Sequence, residues 1–259
     1  MCQALTIYKA IRTVTEVDYT LAELLLGGLV VFVAYLVRGI TGFGSGLISI
    51  PLLTLMFPLK VVVPIVVLLD LIGSGSQAVT NRKHTDWKIL YPLIPMTLIG
   101  IAWAIYFFRY ADTQTLSFAL GVFVVLFAVY QLLPAPALQG GPLMALPFGL
   151  LGGLLGTLFG TGGPFYVIYF AMRGLEKNEF RASYAVYFLL DGLVRVTVYI
   201  FGLRLLRIEW LGLFALALLP FALGMYSGGK VHKGIRPVVF KRLISLILLV
   251  SGTALILQN

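Results

Sequence analysis

A glycine-rich interruption of an apolar run occurs twice in this chain, at corresponding places in its two halves. The first reads GFGSG at 42–46 and the second reads FGTGG at 159–163. When Phe43 is aligned with Phe159, glycines fall on glycines and Ser45 falls on Thr161. Backbone at membrane depth leaves the helix only where protein buries it or where it lines a cavity. Paired interruptions in two halves therefore predict a substrate site between them.

The composition of the chain indicates that these breaks lie within a membrane. Of the 259 residues, 60% are hydrophobic and only 11% are charged, whereas a soluble domain carries about a quarter charged residues. The net charge of +9 comes from basic residues in short loops between apolar runs, which fits loops facing anionic lipid headgroups and not nucleic acid. Cys2 is the only cysteine, and no metal or cofactor motif occurs, so we predict neither metal nor cofactor.

The apolar runs predict an all-α polytopic membrane protein with 8–10 membrane helices, some of them short. An apolar stretch of about 17–25 residues spans a bilayer as a helix. The predicted segments of the first half are 21–38, 46–57, 61–79, 88–108 and 115–133. Those of the second half are 143–159, 164–172, 182–202, 210–226 and 238–257.

Further landmarks repeat in the same order, which indicates an internal duplication. Asp70 and Asp191 lie in the third apolar segment of each half, and Trp87 and Trp210 open the fourth. We divide the chain into an N-terminal tail at 1–20, a first repeat at 21–133, a linker at 134–142 and a second repeat at 143–259.

The relative orientation of the repeats depends on whether the short segments 46–57 and 164–172 cross the membrane. If they cross, each half has five spans, the two strongest basic loops share one side and the halves are inverted. If they are re-entrant, each half has four spans and the halves are parallel. Because positive loops lie inside, charge favours the inverted arrangement. Oligomeric state stays open, with a homodimer as one option.

The breaks suit an anion. Glycine allows positive φ and close approach, and a helix that restarts after a break points free N–H groups and a positive dipole end at the gap. Plain packing of small residues is the alternative, but the clustering and the downstream Pro51 and Pro164 favour a break. The residues predicted to bind substrate here are Gly42, Phe43, Gly44, Ser45, Gly46, Gly160, Thr161, Gly162 and Gly163.

Around these breaks the chain resembles a known family of permeases. The segments GITGFGSGLISIPLL and GTLFGTGGPFYVIYF, with the basic loop and Trp-led helix in NRKHTDWKILYPLIPMTLIG, are similar to the two halves of the TauE/SafE family of sulfite and organosulfonate exporters. The resemblance extends over about residues 21–257. It implies secondary transport of sulfite, organosulfonates or related anions across a bacterial plasma (inner) membrane. The first break departs from the usual glycine triplet, and Pro164 directly follows Gly163 in the second.

Four charged residues lie within or at the end of spans, where charge is costly and therefore a functional candidate. Arg38 ends the first span and is predicted either to bind an anionic headgroup or to snorkel to the interface, and counting residues along the span favours snorkelling. Asp191 and Arg195 share a helix face at i and i+4, and their pair is either functional or structural. Asp70 has no basic residue one turn away. Either it is unpaired, with a raised pKa that suits a proton-coupled carrier, or it lies near a water-filled vestibule or pairs with Arg38 or Arg195 across helices.

These residues give the functional prediction. Arg38, Arg195 and Gln77 join the breaks in binding substrate, and Asp70 and Asp191 are predicted to couple transport to protons. The chain is predicted to be a transporter of small anions and not an enzyme, because its carboxylates are isolated and its spans lack histidine. An anion channel is the alternative, and saturable flux would separate a carrier from it.

Overall fold

In the part of the chain that the structure describes, ten α-helices make up the regular structure, together with short 3₁₀ and π segments. The computed structural model describes residues 19–133, 139–206, 210–231 and 237–258, without the side chains of 76, 77, 79–82, 177, 231 and 237–241, and that part of the chain contains no strand. The first five helices are α1 Leu21–Thr41, α2 Ser45–Thr54, α3 Leu59–Asn81, α4 Trp87–Tyr110 and α5 Thr113–Leu132. The next five are α6 Ala145–Phe159, α7 Gly163–Met172, α8 Lys177–Thr197, α9 Leu211–Val231 and α10 Pro237–Gln258.

Local sequence signals set the helix ends. Thr20 and Glu23 form a capping box at the start of α1, and Asp86 and Asp112 cap α4 and α5 by accepting backbone N–H groups. These bonds satisfy amides that have no partner within the helix. All ten predicted apolar segments are confirmed as helices. Two helices differ from the prediction by five residues. Helix α8 begins at Lys177 and not at 182, because a capping box at Glu176 starts it earlier, and α9 ends at Val231 and not at 226.

Six helices of the described residues have the length and composition of membrane spans, namely 21–41, 87–110, 113–132, 142–159, 178–202 and 211–230. Their outer faces carry large apolar side chains, such as Leu25, Trp103 and Phe201, which are more than half exposed on the isolated protein. Such side chains suit a hydrocarbon surrounding. The all-α polytopic fold class is therefore confirmed.

The main helix packing joins one half of the chain to the other. The first helix of the first half, α1, packs along α9, the fourth of the second half. Reciprocally, α6 packs along α4. Small residues bring these backbones together: a Cβ on Gly39 would lie 2.9 Å from Gly228 Cα, and one on Gly149 would lie 3.0 Å from the Leu93 carbonyl oxygen. Such contacts are typical of tight membrane helix pairs.

The remaining long helices pair with their counterparts. The fifth helices, α5 and α10, pack against each other, as do the third helices, α3 and α8. The short helix α2 contacts α1 and α3, and α7 contacts α6 and α8. The breaks between α1 and α2 and between α6 and α7 therefore face the α3–α8 pair in the middle of the molecule.

Candidate functional site

The first glycine-rich segment is a true helix break. Helix α1 ends at Thr41, and α2 begins at Ser45. Between them Gly42 has φ +88° and Gly44 has φ +93°, a left-handed conformation that costs other residues free energy. The Gly42 amide donates to the Arg38 carbonyl oxygen at 2.6 Å. The predicted helix break is confirmed.

The second glycine-rich segment also interrupts a helix. Helix α6 ends at Phe159, Gly160 takes φ +61° and α7 begins at Gly163. Pro164 lies in the first turn of α7, where its missing N–H costs nothing. The Thr161 hydroxyl donates to the Leu155 carbonyl oxygen at 3.5 Å.

The two breaks touch each other. A Cβ on Gly46 would overlap the carbonyl oxygen of Gly160 and would lie 3.6 Å from Asp70 Oδ2. Aromatic rings of α8 cover the same junction: Tyr184 contacts Phe43 with ring centroids 5.8 Å apart, and Phe188 lies under the Arg38 guanidinium at 5.5 Å. The structure thus brings the predicted halves of the site into one central region.

Arg38 lies in this region and not at the membrane interface. Its side chain is 1% exposed, and its Nη1 lies 2.5 Å from Asp70 Oδ1. Its Nη2 donates to Ser74 Oγ at 2.6 Å and to the Asp70 carbonyl oxygen at 3.1 Å. The prediction that Arg38 snorkels is wrong. The break after α1 folds α2 back against α1, so protein and not lipid headgroups surrounds the guanidinium.

The Asp70 carboxylate accepts hydrogen bonds from side chains of two other helices, α1 and α2. Besides Arg38, the Ser45 hydroxyl donates to Oδ1 at 2.6 Å and the Tyr35 hydroxyl donates at 2.7 Å. Of the partners that the sequence left open for Asp70, the structure selects Arg38. We call these side chains, Tyr35, Arg38, Ser45, Asp70 and Ser74, the first cluster. Buried charged groups need both pairing and hydrogen bonding, and the Asp70 carboxylate has both in the first cluster.

A second buried pair occupies the corresponding region of the other half. Asp191 and Arg195 contact each other within α8, one turn apart, and are 4% and 2% exposed. Arg195 Nη2 also lies 3.2 Å from the Gly152 carbonyl oxygen and 3.2 Å from the Tyr166 hydroxyl. This pairing was predicted from the spacing. We call Asp191, Arg195 and Tyr166 the second cluster.

The two arginines reach their places from different helices. Arg38 extends from the first helix of its half to Gly73 and Ser74 on the third. Arg195 extends from the third helix of its half to Gly156 on the first, where any Cβ would overlap its guanidinium. In each half, therefore, one arginine lies between the first and third helices. In the first half it extends from the first helix to the third, and in the second half it extends from the third helix to the first.

Both guanidinium groups keep an unused donor. Within the described residues, Nε of Arg38 and Nε of Arg195 are buried without a hydrogen-bond partner. Buried N–H groups normally find an acceptor. Each of these arginines lies near the N-terminus of a short helix, and an unsatisfied cationic donor beside a helix N-terminus suits an anion.

Sequence reasoning missed the buried tyrosines of the site. Tyr35 and Tyr166 are fully buried and bond to the two clusters, and Tyr187 contacts the Thr97 hydroxyl. Tyr184 is 4% exposed and lies between the clusters, against Phe43 and Phe188. Their signal was a tyrosine in mid-span, since interfacial tyrosines are found near span ends. The predicted substrate ligand Gln77 lies outside the described side chains.

Comparisons with known proteins agree with this architecture. The family model described as "Sulfite exporter TauE/SafE" matches residues 27–255. A "Probable sulfite/organosulfonate exporter TauE" of Cupriavidus necator is 27% identical over 164 residues, which is 60% of this chain and 64% of that protein. A "Probable inner membrane transporter protein TsaS" of Comamonas testosteroni is 24% identical over 195 residues, 74% of this chain and 81% of that protein.

No solved structure matches the chain. The match to the first relative leaves about a third of that protein's length uncovered. The names of the family and of both relatives are those of exporters and transporters. They support the prediction that the chain is a permease and not an enzyme.

Proposed function

The chain belongs to the TauE/SafE sulfite exporter family, and on that premise we propose that it is a secondary transporter of sulfite or small organosulfonates. The observation that carries this proposal is the direct contact of the two helix breaks beside two buried arginines. The substrate anion binds beside the contact between the breaks, where the N-termini of α2 and α7 supply backbone amides and Arg38 and Arg195 supply charge. A planar guanidinium presents paired donors to a sulfonate as it does to a carboxylate.

Charge balance supports proton coupling through Asp70 and Asp191. The two clusters contain two arginines and two aspartates, all buried, so their formal charges cancel. An anion that enters adds one uncompensated negative charge to a low-dielectric site, which is expensive. Displacement of one aspartate from its arginine by the anion, followed by protonation of that aspartate, restores neutrality. We therefore propose that each transported anion moves with at least one proton.

The proposed topology is two inverted repeats, 21–133 and 143–259, in the inner membrane of a bacterium. The helix order of long, short and three long is the same in both halves. The reciprocal packing of α1 with α9 and of α6 with α4 supports a pseudo-two-fold relation between the halves. Labelling of cysteines introduced near Lys88 and Lys230, in a Cys2→Ser background, tests this topology. Both positions are expected on the same side of the membrane, because inverted halves place the two basic loops together, whereas re-entrant short segments would place them on opposite sides.

The experiment for function is flux in proteoliposomes. Wild-type protein is expected to take up labelled sulfite or sulfoacetate saturably when a proton gradient is imposed, and not to transport amines. Asp70→Asn and Asp191→Asn are expected to lose gradient-driven flux. Asp112→Asn is the matched control, since Asp112 is a helix cap outside the spans and asparagine also caps well. Preference for amines refutes the anion site, and a proton dependence that survives both variants refutes the coupling. Electrodiffusive current would identify a channel.

A further inference from the structure

The two clusters differ in how completely the polar atoms of their carboxylates are paired. Asp70 Oδ1 accepts hydrogen bonds from three side chains of the first cluster. In contrast, neither carboxylate oxygen of Asp191 accepts a well-aligned hydrogen bond from the described residues, although the Arg195 guanidinium contacts Oδ2. Buried polar atoms are almost always hydrogen-bonded, and an exception calls for a functional explanation or a bound molecule. Asp191 is therefore the carboxylate that the resting structure leaves ready for another partner.

The two ion pairs also differ in what they hold together. The Arg38–Asp70 pair connects α1 to α3, and Ser45 of α2 donates to the same carboxylate. Its opening would break contacts among three helices. Asp191 and Arg195 lie one turn apart on the same helix, α8, so their separation needs only rotation of side chains. The Asp191–Arg195 pair is therefore the one that can open while the helices keep their places.

Arg195 keeps other contacts that hold it at the second break when Asp191 leaves it. Its Nη2 donates to the Gly152 carbonyl oxygen and to the Tyr166 hydroxyl, both at 3.2 Å. Gly162, the residue before α7, lies so close that a Cβ on it would be 2.6 Å from Nη2. The N-terminus of α7 adds the positive end of a helix dipole at this place. A fixed guanidinium beside that helix end suits an anion as its new ionic partner.

Among the described residues, Arg195 is the one cationic group in contact with Asp191. The other titratable groups that interact with Asp191 are tyrosines, which are neutral at about pH 7, namely Tyr166 of α7, Tyr187 of α8 and Tyr199 of the π segment Val198–Gly202. Helix α3 packs the apolar Leu71 against the adjacent Gly192, and α4 presents the Thr97 hydroxyl to one of the tyrosines. An Asp191 that loses Arg195 to an anion is thus a buried carboxylate without a countercharge, and a proton is what neutralises it.

We propose that Asp191 is the residue that takes up the coupling proton, that Arg195 is the arginine it releases to the anion, and that the Arg38–Asp70 pair stays closed. The inference rests on the proposed function and assigns its proton step to one carboxylate. The anion enters beside Arg195 and replaces Asp191 as its ionic partner. A proton from the aqueous phase then bonds to a carboxylate oxygen of Asp191, which becomes a neutral carboxylic acid. The added anion and the added proton cancel, so the site keeps its formal charge.

The flux test uses labelled methanesulfonate, because it stays a monoanion at neutral pH whereas sulfite itself titrates there. Proteoliposomes are assayed for accumulation driven by a proton gradient and for exchange of internal against external anion without a gradient. Exchange returns the anion together with its proton, so a neutral side chain at the coupling position still permits it. Asp191→Asn is expected to lose accumulation and to retain measurable exchange. Asp70→Asn is expected to lose both together, because it leaves Arg38 unpaired, and the helix-cap variant Asp112→Asn is expected to lose neither.

Infrared difference spectroscopy decides the assignment even if Asp191→Asn proves inactive in both assays. Addition of methanesulfonate to the wild-type protein is expected to produce the C=O band of a protonated carboxylic acid. Asp191→Glu keeps the negative charge, so no arginine is left unpaired, and it is expected to shift the frequency of this band. Asp70→Glu is the matched substitution in the first cluster and is expected to leave the band where it is.

Two results overturn the inference while the proposed function stands. One is gradient-driven accumulation by Asp191→Asn at the wild-type level, and the other is a carboxylic acid band that does not shift in Asp191→Glu. If the wild-type protein transports the anion but shows neither proton stimulation nor the band, proton coupling fails and the anion site stands. If the wild-type protein transports neither sulfite nor methanesulfonate, the proposed function fails and this inference fails with it.

Discussion

The Arg38–Asp70 pair allows the strongest quantitative prediction. Both side chains are almost completely buried, and Asp70 Oδ1 accepts from Arg38, Ser45 and Tyr35. Removal of one member leaves the other charge buried and unpaired, which costs about 3–5 kcal/mol. For a chain of this size each kcal/mol lowers Tm by about 2–4 °C. Arg38→Ala and Asp70→Ala are each expected to lower Tm by roughly 10 °C.

The double variant separates the free energy of the ion pair from the free energy of side-chain packing. Arg38→Ala with Asp70→Ala leaves a cavity but no orphan charge, so it is expected to be less destabilised than the sum of the single variants by at least about 2 kcal/mol. Unfolding in mixed micelles, followed by tryptophan fluorescence, measures all four corners of the cycle. Arg38→Ala combined with Asp112→Ala is the control pair, and its effects are expected to add. If the Arg38 and Asp70 effects add to within about 0.5 kcal/mol, the two side chains do not stabilise each other and the reasoning is refuted.

Three further predictions follow from the breaks, the first cluster and a helix cap. Gly46→Ala is expected to reduce sulfite flux and stability more than Gly44→Ala, because a Cβ at Gly46 would overlap the Gly160 backbone. A Cβ at Gly44 meets open space, so that variant loses only about 1–2 kcal/mol through its positive φ. The reverse order of Tm and flux would contradict the contact between the breaks. Tyr35→Phe removes a donor to a charged carboxylate and is expected to cost about 1.5–3 kcal/mol of unfolding free energy, and a change below about 0.5 kcal/mol would contradict the bond. Hydrogen bonds from the Thr115 hydroxyl and amide lower the pKa of Asp112. The stability that Asp112 contributes is therefore present above the unfolded pKa of about 3.9 and is lost as pH falls through the lower folded pKa. The Tm difference between wild type and Asp112→Ala should shrink below about pH 4, and a constant difference would contradict this.

Helix positions were predictable because the apolar runs are long and their ends carry local signals. Thr20, Asp86 and Asp112 precede helices as capping residues, and the glycine clusters mark the breaks. Local chemistry within a few residues determined these features, so a single sequence contained the necessary information. The Asp191–Arg195 pair was predictable for the same reason, since its partners are one turn apart.

The partner of Asp70 was not predictable, because Arg38 lies 32 residues away on another helix. Counting residues along a straight span placed Arg38 at the interface, and this estimate ignored the return of the chain after Gly42. The buried tyrosines were missed because tyrosine in a membrane protein is expected at the lipid headgroups. Tyr35 and Tyr166 lie instead beside buried charges, where their hydroxyls complete hydrogen bonding that apolar residues cannot supply.

The packing of α1 along α9, and of α6 along α4, joins the two halves of the chain. This packing has a consequence for how the protein is made. At about 5–20 residues per second, the 190 residues between the starts of α1 and α9 take roughly 10–40 s to synthesise. The glycine face of α1 has no native partner in the bilayer during that interval. The buried arginines, however, pair within their own halves. Arg38 pairs with Asp70 on α3, and Arg195 pairs with Asp191 within α8. The ion pairs therefore let each half enter the membrane without an unpaired buried charge, and the glycine seam between α1 and α9 closes only after both pairs have formed.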